Sequence, residues 1–169
     1  MSSSQTSNGV HSMTSAEQII VRPLEPLDRQ PWERLFYAYG VFYEEDFSAS
    51  MMDGVWQWLM QENHPLRGFA ATLGGELVGI AHLRHQHDTF TAASSWFLDD
   101  LFTSPEARGK GVATALIEAL DRYAAERGGG TLRWITAHDN DTAQSLYNSL
   151  ATKTSWVMYE RETGDNAAR

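Results

Sequence analysis

A short, basic, glycine-containing loop constrains the fold of this chain more than any other feature. The loop runs from Ser104 to Ala113 (SPEARGKGVA) and connects an apolar, strand-like run at 94–103 to a helical segment at 112–127. That segment has an apolar stripe at helical spacing, which consists of Val112, Leu116, Leu120 and Ala124. A strand, a glycine loop and a helix in this order predict an α/β unit with a binding loop at its centre.

Hydrophobic periodicity predicts secondary structure in the order β-α-α-β-β-β-α-β-α-β. The predicted strands lie at 19–24, 68–73, 76–84, 94–103, 131–136 and 154–160, and the predicted helices at 31–39, 50–61, 112–127 and 142–150. This order predicts an α/β fold (α+β by some conventions) with a mixed, mostly antiparallel twisted sheet and helices on both faces. We expect one domain over 18–162, a disordered tail at 1–17 and a flexible tail at 163–169.

Composition and charge exclude several classes of function. The chain has no cysteine, which excludes disulfides, thiolate metal sites and a cysteine nucleophile. The formal net charge of −9 disfavours nucleic acid as a partner and favours cationic small molecules or basic peptides. The sequence has no long apolar run and no secretory signal, so we expect a cytoplasmic protein that does not bind membranes. His82, His85 and His87 have no cysteine or nearby glutamate to complete a ligand set, so we expect no metal.

The loop from Ser104 to Ala113 has the features of a phosphate-binding site. Arg108 and Lys110 bring positive charge, and two glycines allow the backbone to approach a ligand closely. The first N–H groups of the following helix and its macrodipole favour an anion. The residue order matches neither a Walker A loop nor a Rossmann glycine motif. On these residues alone, the alternative is an ordinary turn with a basic helix start.

Two motifs in register resemble the GNAT acetyltransferase superfamily. The first, Q/R-x-x-G-x-G/A, is matched by Arg108, Gly111 and Ala113. The second, N-x-x-A-x-x-L-Y, is matched from Asn140 to Tyr147. The distance between the motifs leaves room for the one helix and one strand that the superfamily has there.

The resemblance extends from about Ile19 to Glu160. The Leu-Asp-Asp-Leu-Phe strand at 98–102 and the long stretch at 149–154 resemble the histone/polyamine acetyltransferase branch of the superfamily. Two features depart from the family pattern. The chain has Ser155-Trp156 where many members have Gly-Phe, and Asp99 where this branch often has glutamate.

The resemblance implies that acetyl-CoA is the cosubstrate. Its pyrophosphate would bind the loop and the first helical turn, at Arg108, Gly109, Lys110, Gly111, Val112, Ala113 and Thr114. Its pantetheine arm would pair like an added strand with the segment Leu101, Phe102 and Thr103. Asn140, Ala143 and Tyr147 would complete the site, with Tyr147 reaching the thioester sulfur.

The implied reaction needs a base but no protein nucleophile, because the amine attacks the thioester directly after losing a proton. Asp99 and Asp100 interrupt the apolar strand and are the candidate bases, while Tyr147 could protonate the leaving thiolate. Successive strand residues face opposite ways, so only one carboxylate should face the site. We favour Asp99, because it shares a face with Leu101 and Thr103. The alternative is that one or both carboxylates bond backbone groups at a bulge.

The acceptor end of the site has a weaker signal. From Leu35 to Leu66 there is no lysine or arginine, while acidic and aromatic residues accumulate. Such a surface suits a cationic amine through charge pairing and cation–π contact. The candidate substrate-binding residues are Tyr43, Glu44, Glu45 and Trp56. The alternative is that the aromatic residues are core and the acids are solvated.

We therefore predict an N-acetyltransferase that moves acetyl from acetyl-CoA to a primary amine, either a cationic small molecule such as a polyamine or a lysine side chain. Two alternatives stay open. One is an amino-acid or antibiotic N-acetyltransferase, and the other is a non-catalytic acyl-CoA-binding module. The apolar last strand and the free sheet edges permit a homodimer, which is common in the family.

Overall fold

Five strands form one mixed sheet in the computed structural model, which describes residues 18–163. They are β1 (Ile19–Pro23), β2 (Leu66–Leu73), β3 (Glu76–Asp88), β4 (Ala93–Thr103) and β5 (Leu132–Trp134). The first four strands pair antiparallel in chain order, and β5 pairs in parallel with β4. The expectations for residues 1–17 and 164–169 lie outside the described residues.

Helices cover both faces of this sheet, which confirms the predicted fold class. They are α1 (Arg29–Phe42), α2 (Ala49–Met60), α3 (Val112–Ala125) and α4 (Asp141–Leu150). The N-terminus of α2 is fixed by Ser48, whose hydroxyl accepts a hydrogen bond from the Met51 N–H at 3.2 Å. Within residues 18–163, no helix is both long enough and apolar enough to cross a membrane.

Two hydrophobic cores sandwich the sheet. The core beneath α3 contains Phe69, Leu83, Trp96, Leu98, Leu116 and Leu120, all at least 95% buried. The core beneath α1 and α2 contains Trp32, Phe36, Leu59, Ile80 and Phe102. Tyr147 and Leu150 of α4 pack at the edge of the first core. The apolar stripe predicted for α3 is therefore the stripe that the sheet buries.

A β-bulge in β4 changes the direction of its side chains. His82 of β3 is opposite Asp100 and Leu83 is opposite Leu98, so Asp99 is an extra residue in β4. In a regular strand Leu98 and Phe102 would share a face. With the bulge, Leu98 enters the core under α3 and Phe102 enters the core under α1 and α2.

The last predicted strand is wrong. Residues 154–160 have no strand pairing, and Trp156 and Tyr159 are 84% and 89% exposed. The predicted strand at 131–136 is also shorter, because only Leu132–Trp134 pair with β4. A strand needs a neighbour to satisfy its backbone, and β5 is too short to offer an edge along the whole of 154–160.

We predict that Gly130→Ala strongly destabilises the fold. Gly130 has a φ of 96°, and an added Cβ would overlap the carbonyl oxygen of Ser94 in β4. The matched control is Gly129→Ala, because Gly129 has a φ of 63° but open space around the Cβ position. In urea unfolding we expect losses of about 3 kcal/mol for Gly130→Ala and about 1 kcal/mol for Gly129→Ala. Equal losses in the two variants would contradict this packing.

Candidate active site

A cleft of about 440 Å³ opens where β4 meets the start of α3. Its walls come from α1, β4, the loop before α3, and α4. The lining residues are Tyr39, Phe42, Tyr43, Leu101, Phe102, Thr103, Ala107, Arg108, Gly109, Gly111, Val112, Ala113, Thr114, Asn140, Thr142, Ala143, Leu146 and Tyr147. The residues of both sequence motifs therefore meet in one cavity, although they are far apart along the chain.

One wall of the cleft is an unpaired edge of β4. The pairing of β4 with β5 ends at Leu98 and Trp134, and β4 continues to Thr103 without that neighbour. The Ser104 N–H donates to the carbonyl of Val78 in β3, so Ser104 directs its backbone groups toward β3. Because this direction alternates along an antiparallel ladder, the residues one and three positions earlier direct theirs away from β3. The backbone groups of Leu101 and Thr103 therefore point to the open edge. This free edge lies along the segment that the family resemblance assigned to the pantetheine arm.

The floor of the cleft is the N-terminus of α3. Gly109 and Gly111 have φ values of 73° and 85°, and an added Cβ at either position would meet nothing within 4 Å. Gly111 is the N-cap of α3, and no side chain caps this end of the helix. The first N–H groups of α3 are therefore available to a ligand, and the helix dipole makes this end attractive to an anion.

Arg108 brings positive charge to the same end of the cleft. Its guanidinium lies over the rings of Phe42 and Phe102, 5.7 and 5.9 Å from their centroids. Cation–π contact holds the side chain beside the cleft and leaves its N–H groups available. Lys110, by contrast, is exposed and does not line the cleft.

Two tyrosines stand at the centre of the cleft. Burial, together with the nearby Tyr43, raises the pKa of the Tyr147 phenol to about 12. Burial and then the charge of Asp100 raise the pKa of Tyr39 well above its usual range. The ring of Tyr147 is held edge to face by Trp134, at 5.5 Å between centroids. Both phenols therefore carry their protons at neutral pH.

Asn140 has a structural contact of its own at the start of α4. Its side-chain oxygen accepts a hydrogen bond from the Ala143 N–H at 3.1 Å and caps the helix. The amide N–H groups of Asn140 are left for a ligand, because the cap uses only the oxygen. This contact explains why the second motif begins with asparagine.

The two carboxylates of β4 lie on the same side of the sheet, contrary to the alternation that the sequence argument assumed. Asp99 accepts two hydrogen bonds from Arg84, at 2.9 and 2.7 Å, and Asp100 accepts one from His82 at 2.8 Å. His82 and Arg84 are two residues apart on β3 and share its face toward α1. The reason for favouring Asp99 was therefore wrong. The bulge separates Asp99 from the faces of Leu101 and Thr103.

The partners of these carboxylates give them different chemistry. Asp99 forms a bidentate ion pair with Arg84, and this bond raises the pKa of the guanidinium. The guanidinium of Arg84 is always positive, so it balances the charge of Asp99. Asp100 has a histidine as its partner, keeps 24% of its side chain exposed, and lies close enough to Tyr39 to affect its ionisation. Neither carboxylate is among the residues that line the cleft, but Asp100 lies beside Tyr39, which does. A role as base stays a prediction for both.

The structure places the four candidate acceptor residues differently. Tyr43 lines the cleft, and Glu44 and Glu45 follow it on the exposed rim after α1. Trp56 lies in the core under α1 and α2, 5.0 Å from the ring of Trp32. A core position is the alternative that the sequence left open for such aromatic residues. The substrate-binding role of these four residues stays a prediction.

Sequence reasoning missed several residues that line the cleft. They are Tyr39, Phe42, Ala107, Thr142 and Leu146. Tyr39 and Phe42 belong to the acidic and aromatic segment between Leu35 and Leu66. Helical spacing alone does not distinguish the face of α1 that lines the cleft from the face that packs in the core. Thr142 and Leu146 could have been found from their place within the second motif, on the same helix as Tyr147.

Comparison with known proteins identifies the same family that the two sequence motifs resemble. Residues 32–151 match the model of the Acetyltransferase (GNAT) family. The chain is 30% identical to the D-amino-acid N-acetyltransferase HPA3 of Saccharomyces cerevisiae, over 86% of this chain and 91% of the relative. It is 29% identical to an aminoglycoside N(6')-acetyltransferase type 1 of Salmonella enteritidis, over 84% and 97% of the two chains.

The fold is also shared with solved structures. The aminoglycoside N-acetyltransferase AAC(6')-Iy in complex with CoA superposes with a TM-score of 0.75 at 21% identity, covering 89% of this chain and 99% of that one. A ribosomal-protein-alanine N-acetyltransferase from Brucella melitensis gives a TM-score of 0.73 at 20% identity. At this level of identity the likeness concerns the fold.

Proposed function

The chain belongs to the GNAT acetyltransferase family and is an acetyl-CoA-dependent N-acetyltransferase, and from that premise we propose that its acceptor is a cationic primary amine. A polyamine-like molecule or a lysine side chain has this chemistry. The observation that carries the proposal is the contrast between the two ends of the cleft. One end offers N–H groups and Arg108, and the other is bordered by aromatic and acidic side chains.

The cleft fits acetyl-CoA by its unsatisfied groups. The uncapped end of α3 and the open Cβ space at Gly109 and Gly111 suit a pyrophosphate. The free edge of β4 suits an extended arm with amide groups, and the hydroxyl of Thr103 is buried without a protein partner. When bound there, acetyl-CoA supplies the activated acetyl group as a thioester.

The residues near the reacting end would move the protons. An alkylammonium with a pKa of about 10 is almost wholly charged at pH 7, so the acceptor must be deprotonated before it attacks. Asp100 takes that proton, directly or through a water molecule. Tyr147 keeps its own proton at neutral pH, because its pKa is about 12, and it donates a hydrogen bond toward the sulfur.

The charges around the acceptor end support a cation. Glu44, Glu45 and Asp46 follow Tyr43 on the exposed rim, with no lysine or arginine between residues 35 and 66. Asp53, the next acid, is already paired with Arg29. The rings of Tyr39 and Tyr43 offer faces for cation–π contact, whereas the ring of Phe42 already lies under Arg108.

A second acceptor class has one observation in its favour. The relative HPA3, at 30% identity, is named as a D-amino-acid N-acetyltransferase. An amino acid would need a cationic anchor for its carboxylate. Arg108 lines the cleft, whereas Arg84 is already paired with Asp99.

We expect a pooled acceptor assay to give an acetylated polyamine or an acetylated lysine peptide. The pool contains polyamines, lysine peptides, D- and L-amino acids and aminoglycosides, with acetyl-CoA and product identification by mass. In the Glu44→Gln, Glu45→Gln double variant we expect KM for the cationic acceptor to rise several-fold, because charge attraction is lost. Glu126→Gln, at the far end of α3, is the matched control. Acetylation of amino acids or aminoglycosides alone would contradict the proposed acceptor class.

We predict that Gly111→Ala lowers the affinity for acetyl-CoA about tenfold, since its Cβ would fill the pyrophosphate space and reorient the N–H groups. Gly75→Ala in the β2–β3 turn is the control, because Gly75 has a φ of 86° and equally open surroundings. Both variants should lose about 1 kcal/mol of unfolding free energy from the left-handed backbone. Calorimetric titration separates the effects, and equal affinities in the two variants would contradict the assigned cradle.

We propose that the protein is a homodimer in which a second copy covers residues 154–160. Trp156, Val157, Met158 and Tyr159 are 55–89% exposed, and β5 at the sheet edge pairs only with β4 among the described strands. A contiguous apolar segment of this size is the usual mark of an interface. A second copy suits this segment because, in a two-fold dimer, the same surface of each chain packs against its counterpart.

Light scattering should give twice the chain mass of 19.0 kDa. The Trp156→Ser, Met158→Ser variant should dissociate to monomer, because it removes the apolar contact. Phe90→Ser is the control, since Phe90 is 93% exposed in the turn between β3 and β4. A monomeric wild-type protein, or a double variant that stays dimeric, would contradict the proposal.

A further inference from the structure

A chain of three hydrogen-bonded side chains runs from α1 to Asp100, which lies beside Tyr39 of the cleft. The indole N–H of Trp32 donates to Nε2 of His82 at 2.8 Å, and Nδ1 of His82 lies 2.8 Å from Oδ2 of Asp100. Trp32 and His82 are completely buried, and Asp100 is partly exposed. The chain links a helix, a central strand and the bulged strand.

The hydrogen-bond partners of His82 fix its tautomer. An indole N–H can only donate, so Nε2 of His82 must be the acceptor and cannot carry a proton. The single proton of the neutral ring is then on Nδ1, which donates it to Asp100. Protonation of Nε2 would break the bond to Trp32 and leave that buried N–H without a partner, which costs about 1–3 kcal/mol. His82 is therefore held as a neutral donor.

The surroundings of His82 reinforce this state. The ring of Phe36 packs edge to face against it at 4.9 Å, and the ring of Trp32 lies at 5.9 Å. The packed elements carry Arg29 and Tyr39 on α1, Arg84 on β3, and Asp99 and Asp100 on β4 among their charged or titratable residues. Arg29 is paired with Glu33 and Asp53, and Arg84 with Asp99. Asp100 is thus the carboxylate that the His82 ring contacts.

We propose that Trp32 and His82 are positioning residues that hold Asp100 as an oriented, ionised carboxylate for the acceptor amine. The proposal rests on the proposed function, in which Asp100 is the base. A neutral donor fixes one oxygen of the carboxylate without cancelling its charge. An imidazolium in the same place would make the carboxylate a weaker base and would compete with the substrate cation. Trp32 therefore contributes to the chemistry by keeping His82 neutral.

Nitrogen-15 NMR of the histidine rings tests the tautomer directly in the full-length protein. We expect His82 to show a protonated Nδ1 and an unprotonated Nε2, with no change between pH 6 and pH 9. In Trp32→Phe, which keeps an aromatic ring but removes the N–H, Nε2 should become free to take a proton at the acid end. A wild-type signal for protonated Nε2, or for a doubly protonated ring, would overturn the proposal.

Kinetics test whether the chain of hydrogen bonds matters for turnover. His82→Leu removes the donor to Asp100, and we expect kcat to fall at least about tenfold with KM for acetyl-CoA unchanged. His82→Asn puts an amide N–H near the Nδ1 position, so it should recover part of this loss. Trp32→Phe should lose activity selectively at low pH, whereas Trp58→Phe, on the exposed side of α2, is its matched control.

The outcomes separate this inference from the proposed function. We expect Asp100→Asn to lower kcat about 100-fold, in line with the loss of a general base. If Asp100→Asn kept wild-type turnover, the base itself would be wrong. If Asp100→Asn were inactive while His82→Leu kept wild-type kcat, only the positioning role would be overturned. Thermal unfolding and acetyl-CoA affinity are measured for each variant to show that it folds. If His82→Leu does not fold, the NMR signals and kinetics of Trp32→Phe test the positioning role instead.

Discussion

The extra residue in β4 at Asp99 is the constraint on which the rest of the site depends. It lets one strand contribute Leu98 to the core under α3 and Phe102 to the core under α1 and α2. It also brings both carboxylates to the same face, and it does so just after the strand loses its β5 neighbour at Leu98. Bulges disrupt the ladder and re-aim side chains, which is why they occur beside active sites. Here a single insertion joins the packing of the fold to the placement of its charges.

The two ends of the cleft have opposite electrostatic character, and each end has a separate structural origin. The anion-binding end is built from backbone, because the uncapped N–H groups of α3 and the glycines before it need no charged side chain. Beside the cleft, the two carboxylates of β4 are held by side-chain pairing, Asp99 with Arg84 and Asp100 with His82. Backbone N–H groups at a helix terminus carry no full charge, so no charged group has to be removed from water to form this end. A carboxylate covered by a helix does lose its water and therefore needs a partner. The division matches the chemistry of an anionic cosubstrate and a cationic acceptor.

Local patterns in the sequence predicted the parts of this structure that local physics determines. The apolar stripe of α3, the strands predicted at 68–73 and 76–84, and the loop around Arg108 were all visible, because each follows from neighbouring residues. The bulge was not, since it depends on how β3 pairs with β4, and without it the alternation rule assigned Asp99 to the wrong face. The segment at 154–160 has strand composition but pairs with no other part of residues 18–163. Composition indicates that a segment can form a strand, but the segment does so only where the fold offers the edge of another strand to pair with.

Asp99 and Asp100 are adjacent carboxylates that differ in the partner each has on β3. Both have a hydrogen-bond donor, so hydrogen bonding alone does not distinguish them. The difference lies in the donor: Arg84 offers a guanidinium that is always positive, while His82 accepts from the N–H of Trp32 at Nε2 and has Nδ1 left to face Asp100. The buried polar contact between Trp32 and His82 therefore links the core under α1 and α2 to the carboxylate beside the cleft.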